Sequence, residues 1–210
     1  MTSRTDTPRP RSQDLQARSR RTRDRLVTAA LEQFAARGFD DVTVDEICAA
    51  AGVAKGTCYF HFPTKEDLLV AAFHRGGPDV RAHADELVAS GVPFAEAVLA
   101  LGDRIARNTG RLPKPLVQRA TIAALAAIGT GDPEGERRHR REAMLALVTA
   151  AQSTGEVRDR LRPAEVVMTL NWAILQGILV WSASEGPRPA LHSVVRRRLL
   201  LALHGVAAPD

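Results

Sequence analysis

The sequence predicts an all-α fold of about nine helices, a small N-terminal unit followed by a larger helical one. Three observations carry that expectation. Only nine of the 210 residues are aromatic, while Ala, Leu, Val and Arg dominate; most of those are good helix formers. No run of alternating apolar and polar residues suggests a strand. Glycine and proline gather at Gly91/Pro93, Gly110/Pro113, Gly129–Pro133, Gly155 and Gly186–Pro189, which leaves long uninterrupted segments between the breaks. With 45% apolar and 25% charged residues, the composition is that of a soluble chain able to bury a core.

The elements can be justified in order. Residues 1–18, with Pro8, Pro10 and scattered polar side chains, read as a flexible basic arm. A first helix runs from near Thr22 to Arg37 and sets Leu26, Ala30 and Phe34 on one face. Gly38 is placed to end it in a left-handed conformation, with Phe39 folding back on Phe34. Thr43-Val44-Asp45-Glu46 has the form of a capping box, in which hydroxyl and carboxylate satisfy N–H groups left free at a helix start. The second helix, which begins there, turns Ile47, Cys48 and Ala51 inward and breaks at Gly52. Residues 53–60 fit a short third helix, and Thr64 is a candidate N-cap for a fourth beginning at Lys65. Further helices are expected over about 65–75, continuing or restarting after Gly76-Gly77-Pro78 to about 89, then 93–108, 113–128, 134–153, 163–184 and 189–204. The chain thus divides into an arm (1–18), a helix-turn-helix unit (19–64) and a larger helical unit (65–210).

Two helices meeting at Ala51-Gly52-Val53, the second short and polar on one side, are what a helix-turn-helix needs. Cys48 is small where the helices approach, and Cys58 can face inward. Both therefore read as small hydrophobes rather than a redox pair. The stretch Phe34…Gly38-Phe39…Thr43-Val44-Asp45-Glu46-Ile47…Ala51-Gly52-Val53-Ala54-Lys55-Gly56-Thr57-Cys58-Tyr59-Phe60-His61-Phe62-Pro63-Thr64-Lys65-Glu66-Asp67-Leu68-Leu69 closely resembles the DNA-binding domain of the tetracycline-repressor (TetR) family. The run Tyr-x-His-Phe-x-x-Lys-Glu-x-Leu-Leu is its most diagnostic piece. The resemblance covers about residues 20–70, a quarter of the chain, and the remainder matches in layout alone. Cys48 stands where the family usually has Ala, and Cys58 where it has a larger apolar residue. Neither departure removes a DNA contact.

The chemistry of the third helix can be argued beside that resemblance. Its N-terminal end would enter the major groove, where Lys55 can reach guanine O6 and N7. Gly56 permits close approach to the bases, and Thr57 can contact a base, a thymine methyl or a phosphate. Tyr59 and His61 look like phosphate clamps, as does Thr43 at a helix start whose dipole favours an anion. Lys65 resembles the family's backbone-contacting lysine.

The formal net charge of +5 points the same way. Eight arginines against three aspartates in residues 1–25 account for all of it, and the other 185 residues balance. A basic arm that tracks phosphates is one reading and a solvated tail the other.

In the 163–184 segment, Val167, Leu170, Ile174, Ile178 and Trp181 form one apolar stripe and Met168, Trp172, Leu175 and Leu179 a second. Two faces need two partners, its own domain and a second subunit, and Gly177 would allow a close crossing. The resemblance implies a four-helix interface between two copies, with Leu175, Ile178, Trp181, Val195 and Leu199 as its candidates. It also implies a small-molecule pocket inside the larger unit, for which Leu101, Ile105, Met144, Asn171, Trp172 and Gln176 are candidates. Val166–Ser184 carries no charge, but its amides make a helix buried on all sides of a bundle a better reading than a membrane span. Arg137-Arg138-His139-Arg140-Arg141 reads as an exposed helix face.

Two cysteines exclude a disulfide scaffold, and no Cys/His spacing suggests zinc, so neither metal nor cofactor is expected. No apolar run follows the first basic residues, as a secretory signal would require, and a cytoplasmic protein is expected. The motifs of nucleotide-binding, serine-hydrolase and zinc-protease chemistry are missing. The reading is a homodimeric transcriptional repressor released from double-stranded operator DNA by a small, largely apolar effector. An activator or effector-independent regulator is the alternative, and an all-α enzyme a remote third.

Overall fold

The computed structural model describes residues 12–126, 136–185 and 189–205. Residues 1–11 of the expected arm, the break at Gly129–Pro133, the helix ends at 127–128 and 134–135, and residues 186–188 lie outside the described residues. The described residues are organised as ten helices with no strand between them. The all-α expectation holds; the count is higher because residues 65–89 restart as two helices. The chain forms two compact units that divide between Leu68 and Leu69, four residues later than expected.

The first unit contains α1 (Ser12–Arg37), α2 (Val44–Ala51), α3 (Lys55–His61) and the opening of α4 (Lys65–His74). Helix α1 begins ten residues before the expected Thr22, so residues 12–18 are helical rather than a flexible arm. The reason is local: residues 12–37 contain no Gly or Pro, and Asp14 in the first turn complements the helix dipole. Gly38 ends α1 at φ 90°, and Phe39 returns onto Phe34 with ring centroids 5.0 Å apart. The capping box of α2 forms in full: Thr43 N–H donates to Glu46 Oε2 at 2.7 Å, and Glu46 N–H to Thr43 Oγ1 at 3.3 Å. At the turn Gly52 takes φ 61°, and the Val53 N–H closes onto the Cys48 carbonyl at 2.9 Å. Leu26, Phe34, Phe39, Val42, Ile47, Cys48, Cys58, Phe62 and Leu68 are the buried centre of this unit.

The second unit holds the rest of α4, then α5 (Gly77–Ala89), α6 (Phe94–Thr109), α7 (Lys114–Ala126), α8 (Glu136–Ser153), α9 (Pro163–Ser182) and α10 (Leu191–His204). Helix α5 packs on α8, α9 on α10, and α10 on α6. Val98, Leu101, Ile105, Val117, Met144, Val148, Ile174, Ile178, Val195 and Leu199 are fully enclosed. Gly177 gives the close crossing expected of it. A Cβ there would come within 3.3 Å of the Val195 Cα on α10.

Candidate nucleic-acid interface

Helix α3 is seven residues long and buries Cys58 alone. Lys55, Gly56, Thr57, Tyr59 and Phe60 all face outward. Gly56 is the informative one. It sits in a helix, where glycine costs about 0.5–1 kcal/mol relative to alanine. Yet a Cβ there would meet nothing within 4 Å, so no neighbour in the chain requires its absence. The space it leaves faces out of the molecule, as close approach by an external partner would require.

The side chains around it are not free rotors. Lys55 Nζ donates to Asp45 Oδ2 at 2.8 Å and lies 6.0 Å from the Tyr59 ring. The hydrogen bond to Asp45, then its charge, raises the Lys55 pKa above its ordinary value. Half-buried His61 meets the Phe60 ring edge-on at 5.2 Å. Thr43 acts as the N-cap it resembles, and its hydroxyl also donates to Glu46 Oε2 at 2.8 Å. The Thr43 amide, then Arg37 at 2.7 Å, holds the Glu46 carboxyl at about 2. Both cysteines are enclosed and free, and burial, then a hydrogen bond with the Cys48 thiol, pushes the Cys58 thiol to about 12.

Lys65 differs from expectation. Its ammonium is half-buried, donates to the carbonyls of Phe39 at 2.8 Å and Val42 at 2.9 Å, and lies 4.3 Å from the Phe39 ring. Instead of standing out toward a phosphate, it pins the α1–α2 connection, because those carbonyls are left without helical partners. Two arginines counted with the basic arm also have internal work. The Arg23 guanidinium covers the Phe62 ring at 4.4 Å, and Arg25 donates to the carbonyls of Ala51 and, at 2.9 Å, Gly52. Sequence reasoning missed Asp45 as the partner of Lys55, and Phe60, which is 81% exposed. Phe60 had a signal: two residues from inward Cys58 is more than half a helical turn away.

Residues 26–72 match the family model for bacterial regulatory proteins of the tetR family. The regulator TtgW of Pseudomonas putida, described as an uncharacterized HTH-type transcriptional regulator, is 46% identical over 55 residues. That stretch is 26% of this chain and 41% of TtgW, so the chain spans less than half the length of that relative. The HTH-type transcriptional repressor KstR of Mycolicibacterium smegmatis is 29% identical over 186 residues, 88% of this chain and 86% of KstR. Among solved structures, the TetR-family transcriptional repressor FadR of Thermus thermophilus, in complex with lauroyl-CoA, superposes with a TM-score of 0.72 at 25% identity, covering 90% of this chain and 96% of that one. Residues 26–72 thus carry the tetR-family sequence, and the chain as a whole shares the fold of the FadR repressor. These similar proteins are regulators, and the reading as an all-α enzyme is set aside.

In the larger unit, the six ligand candidates are not brought together. Leu101, Ile105 and Met144 are fully enclosed in the core. Asn171 is half-buried, with an enclosed Oδ1 that has no hydrogen-bond partner. Trp172, 47% exposed, and Gln176 point outward and line an open groove of about 520 Å³ with Leu125, Leu175, Leu179 and Arg198. The expectation that Trp172 and Gln176 line an internal pocket is therefore corrected: they lie on an exposed side of α9, on a groove shared with α7 and α10.

The interface candidates also separate. Ile178, Val195 and Leu199 are enclosed within their own unit, where Gly102 and Gly177 let α10 settle onto α6 and α9. Leu175 is half-buried on the groove. Trp181 is half-buried under Lys114, whose ammonium lies 5.0 Å from its ring. Nor is α9 buried on all sides. It is long and apolar enough to span a membrane by composition, but 28% of that window is buried, along one face. Val167, Leu170, Ile174 and Ile178 fill that face, while Met168, Trp172 and Val180 are exposed on the other. Of the Arg-rich run, Arg138 and Arg141 are exposed as expected, but Arg140 turns in over the Phe73 ring at 5.5 Å. The Arg137 side chain lies outside the described residues.

Proposed function

We propose that this chain is a homodimeric, sequence-specific DNA-binding repressor that a small ligand releases from its operator. The observation that carries the reading is the face of α3. Lys55, Gly56, Thr57, Tyr59 and Phe60 stand uncovered around a glycine for which the chain has no internal use. Lys55 supplies guanine readout, Thr57 and Phe60 offer methyl and ring contacts, and Tyr59 and His61 reach the backbone. Such a site operates where chromosomal DNA is, in the cytoplasm.

The dimer rests on the outer face of α9 and α10. Met168, Trp172, Val180, Leu200 and Leu201 are exposed large apolar side chains on these two packed helices, the kind of surface a second copy would cover. That copy would also set two recognition helices about one DNA turn apart. The ligand is supported by the repressor of Thermus thermophilus that shares this fold and was crystallised with lauroyl-CoA. Release needs two states that differ in recognition-helix spacing, with α4 as the lever. A ligand that prefers the DNA-incompetent spacing by about 1–3 kcal/mol weakens DNA binding roughly 5- to 150-fold.

The test is purified protein against DNA from upstream of its own gene, with and without ligands found by thermal-shift screening. Operator and ligand must weaken one another by the same factor. A ligand whose affinity ignores operator DNA removes induction from this reading. Failure to select any DNA sequence removes the regulator itself.

A further inference from the structure

We propose that Phe60 reads a thymine methyl group in the major groove, which makes it a specificity-determining residue of α3. The inference rests on the DNA-binding reading above and names the base that this helix selects. Phe60 is 81% exposed. Of the chain's other phenylalanines, Phe34, Phe39, Phe62 and Phe73 are buried and Phe94 is half-buried. The exposed ring stands at the centre of the uncovered face. Cys58, the residue that α3 buries, lies two positions back, so Phe60 points about 200° away from it around the helix. Gly56 lies one turn before Phe60 on that same face, and nothing comes within 4 Å of the place its Cβ would take. Thr57 and Tyr59, both exposed, flank the pair. The His61 ring meets the phenyl edge-on at 5.2 Å and buttresses one side of it.

An apolar ring on the outermost ridge of a helix gains nothing from water, so its partner has to supply apolar surface. Gly56 lets the backbone settle close to base edges, and the ring one turn along then meets them too. The major groove offers donors and acceptors at every base pair but one apolar group, the C5-methyl of thymine. Against a purine the ring would cover N7 and a six-position group, removing their water without returning a hydrogen bond. Against cytosine it meets the N4 donor and no methyl. Thymine is therefore the base that this surface favours. Burying one methyl group is worth about fourfold in affinity, enough to set the preference at one position of a site.

The test uses the full-length protein and an operator obtained by selection from random duplexes. Each thymine of one half-site is replaced in turn by deoxyuridine, which removes the methyl and nothing else. At one of them wild-type affinity should fall about three- to fivefold. Phe60→Ala, which alters both half-sites of a dimer, should lose at least that factor on the thymine operator without a lower Tm. It should also bind thymine and uracil alike at that position, and Phe60→Leu should keep part of the preference. A C·G pair placed there should weaken wild-type binding, and 5-methylcytosine should restore part of the loss, because it returns the methyl. Indifference to every deoxyuridine, or a thymine preference that survives Phe60→Ala at that position, would overturn the inference. So would a preference that Thr57→Ser abolishes and Phe60→Ala does not, since the neighbouring methyl would then be the reader. Each of those results leaves the regulator reading intact, whereas a protein that selects no sequence overturns both.

Discussion

Helices α3 and α9 both leave one face uncovered, and the chemistry of the two faces differs. The seven residues of α3 present an ammonium, a glycine, a hydroxyl, a phenol and a phenyl ring around one buried thiol. The twenty residues of α9 present Met168, Trp172, Leu175 and Val180 beside an apolar groove. The first surface suits a charged, hydrogen-bonding partner that comes and goes. The second suits a permanent apolar one, because exposing it in water costs free energy continuously. An uncovered face thus tells what covers it only when its polarity is read together with the burial of the opposite face.

The largest expected effect tests the α9 side of that contrast. Trp172→Glu or Leu175→Glu sets an unpaired carboxylate on the groove, at a desolvation cost of several kcal/mol if a second copy covers it. The variant should be monomeric or insoluble, and operator affinity should fall by about a hundredfold or more, since each half-site then binds alone. Light scattering and operator binding read the two outcomes. A wild-type chain that is monomeric at micromolar concentration breaks the comparison, because the apolar face would then need another explanation.

Two lysines sharpen the α3 side. Lys55→Ala removes a side chain whose bond within the fold, to Asp45, is exposed and contributes little. It should cost about 1–3 kcal/mol on operator DNA, with relaxed preference at one base position and nearly unchanged Tm. Lys65→Ala removes hydrogen bonds to the Phe39 and Val42 carbonyls, worth about 1.5–3 kcal/mol when a charged group donates. It should lower the stability of the helix-turn-helix unit and weaken all DNA sequences alike. Equal Tm for both variants would return Lys65 to the role of a phosphate contact.

This division of labour between the lysines marks how far the sequence could be read. The capping box at Thr43 and Glu46, the Gly38 and Gly52 turns and the Phe34–Phe39 contact were legible because each is local, set by residues within about one helical turn. The direction taken by a long side chain was not. Lys65 and Arg25 reach carbonyls that only the folded chain brings near, 26 residues away in each case. In α9 the two apolar stripes were legible from periodicity, but not which stripe met α8 and α10. Ile178, Val195 and Leu199 therefore entered the interface list although their own unit encloses them. Arg140 was hidden inside a charge run for the same reason. Periodicity assigns a residue to a face, and four neighbouring cations gave no sign that one of them folds back over Phe73.

A smaller effect is expected at Asp45. It holds Lys55 at 2.8 Å without DNA, so Lys55 reaches a phosphate or a base only by giving up that carboxylate. Non-specific phosphates repay the exchange less well than a guanine edge that offers two acceptors. Asp45→Asn should therefore raise affinity for random DNA about three- to tenfold, more than for operator, and steepen the salt dependence by about one ion. Equal gains on both DNAs would leave Asp45 a bystander.

The smallest effect is in acid, and it too separates the units. Glu46 is held at about 2 by the Thr43 amide, Arg37 and the Thr43 hydroxyl, against an ordinary value of 4.5. A lowered folded pKa means that the unfolded state binds the proton first between those values. The stabilisation from Glu46 is therefore complete above pH 4.5 and is lost as pH falls toward 2. Because Glu46 is exposed, solvent screens the effect, and global melting will register little of it. Hydrogen exchange reads it locally. The amides of Thr43 and Glu46, which close the capping box, should lose protection through that window relative to amides in α6. Glu46→Gln should flatten the pH dependence and leave α6 as it was. Parallel loss in α6 and in the wild-type cap would mean that acid opens the chain as a whole, with no separate contribution from the cap that starts α2.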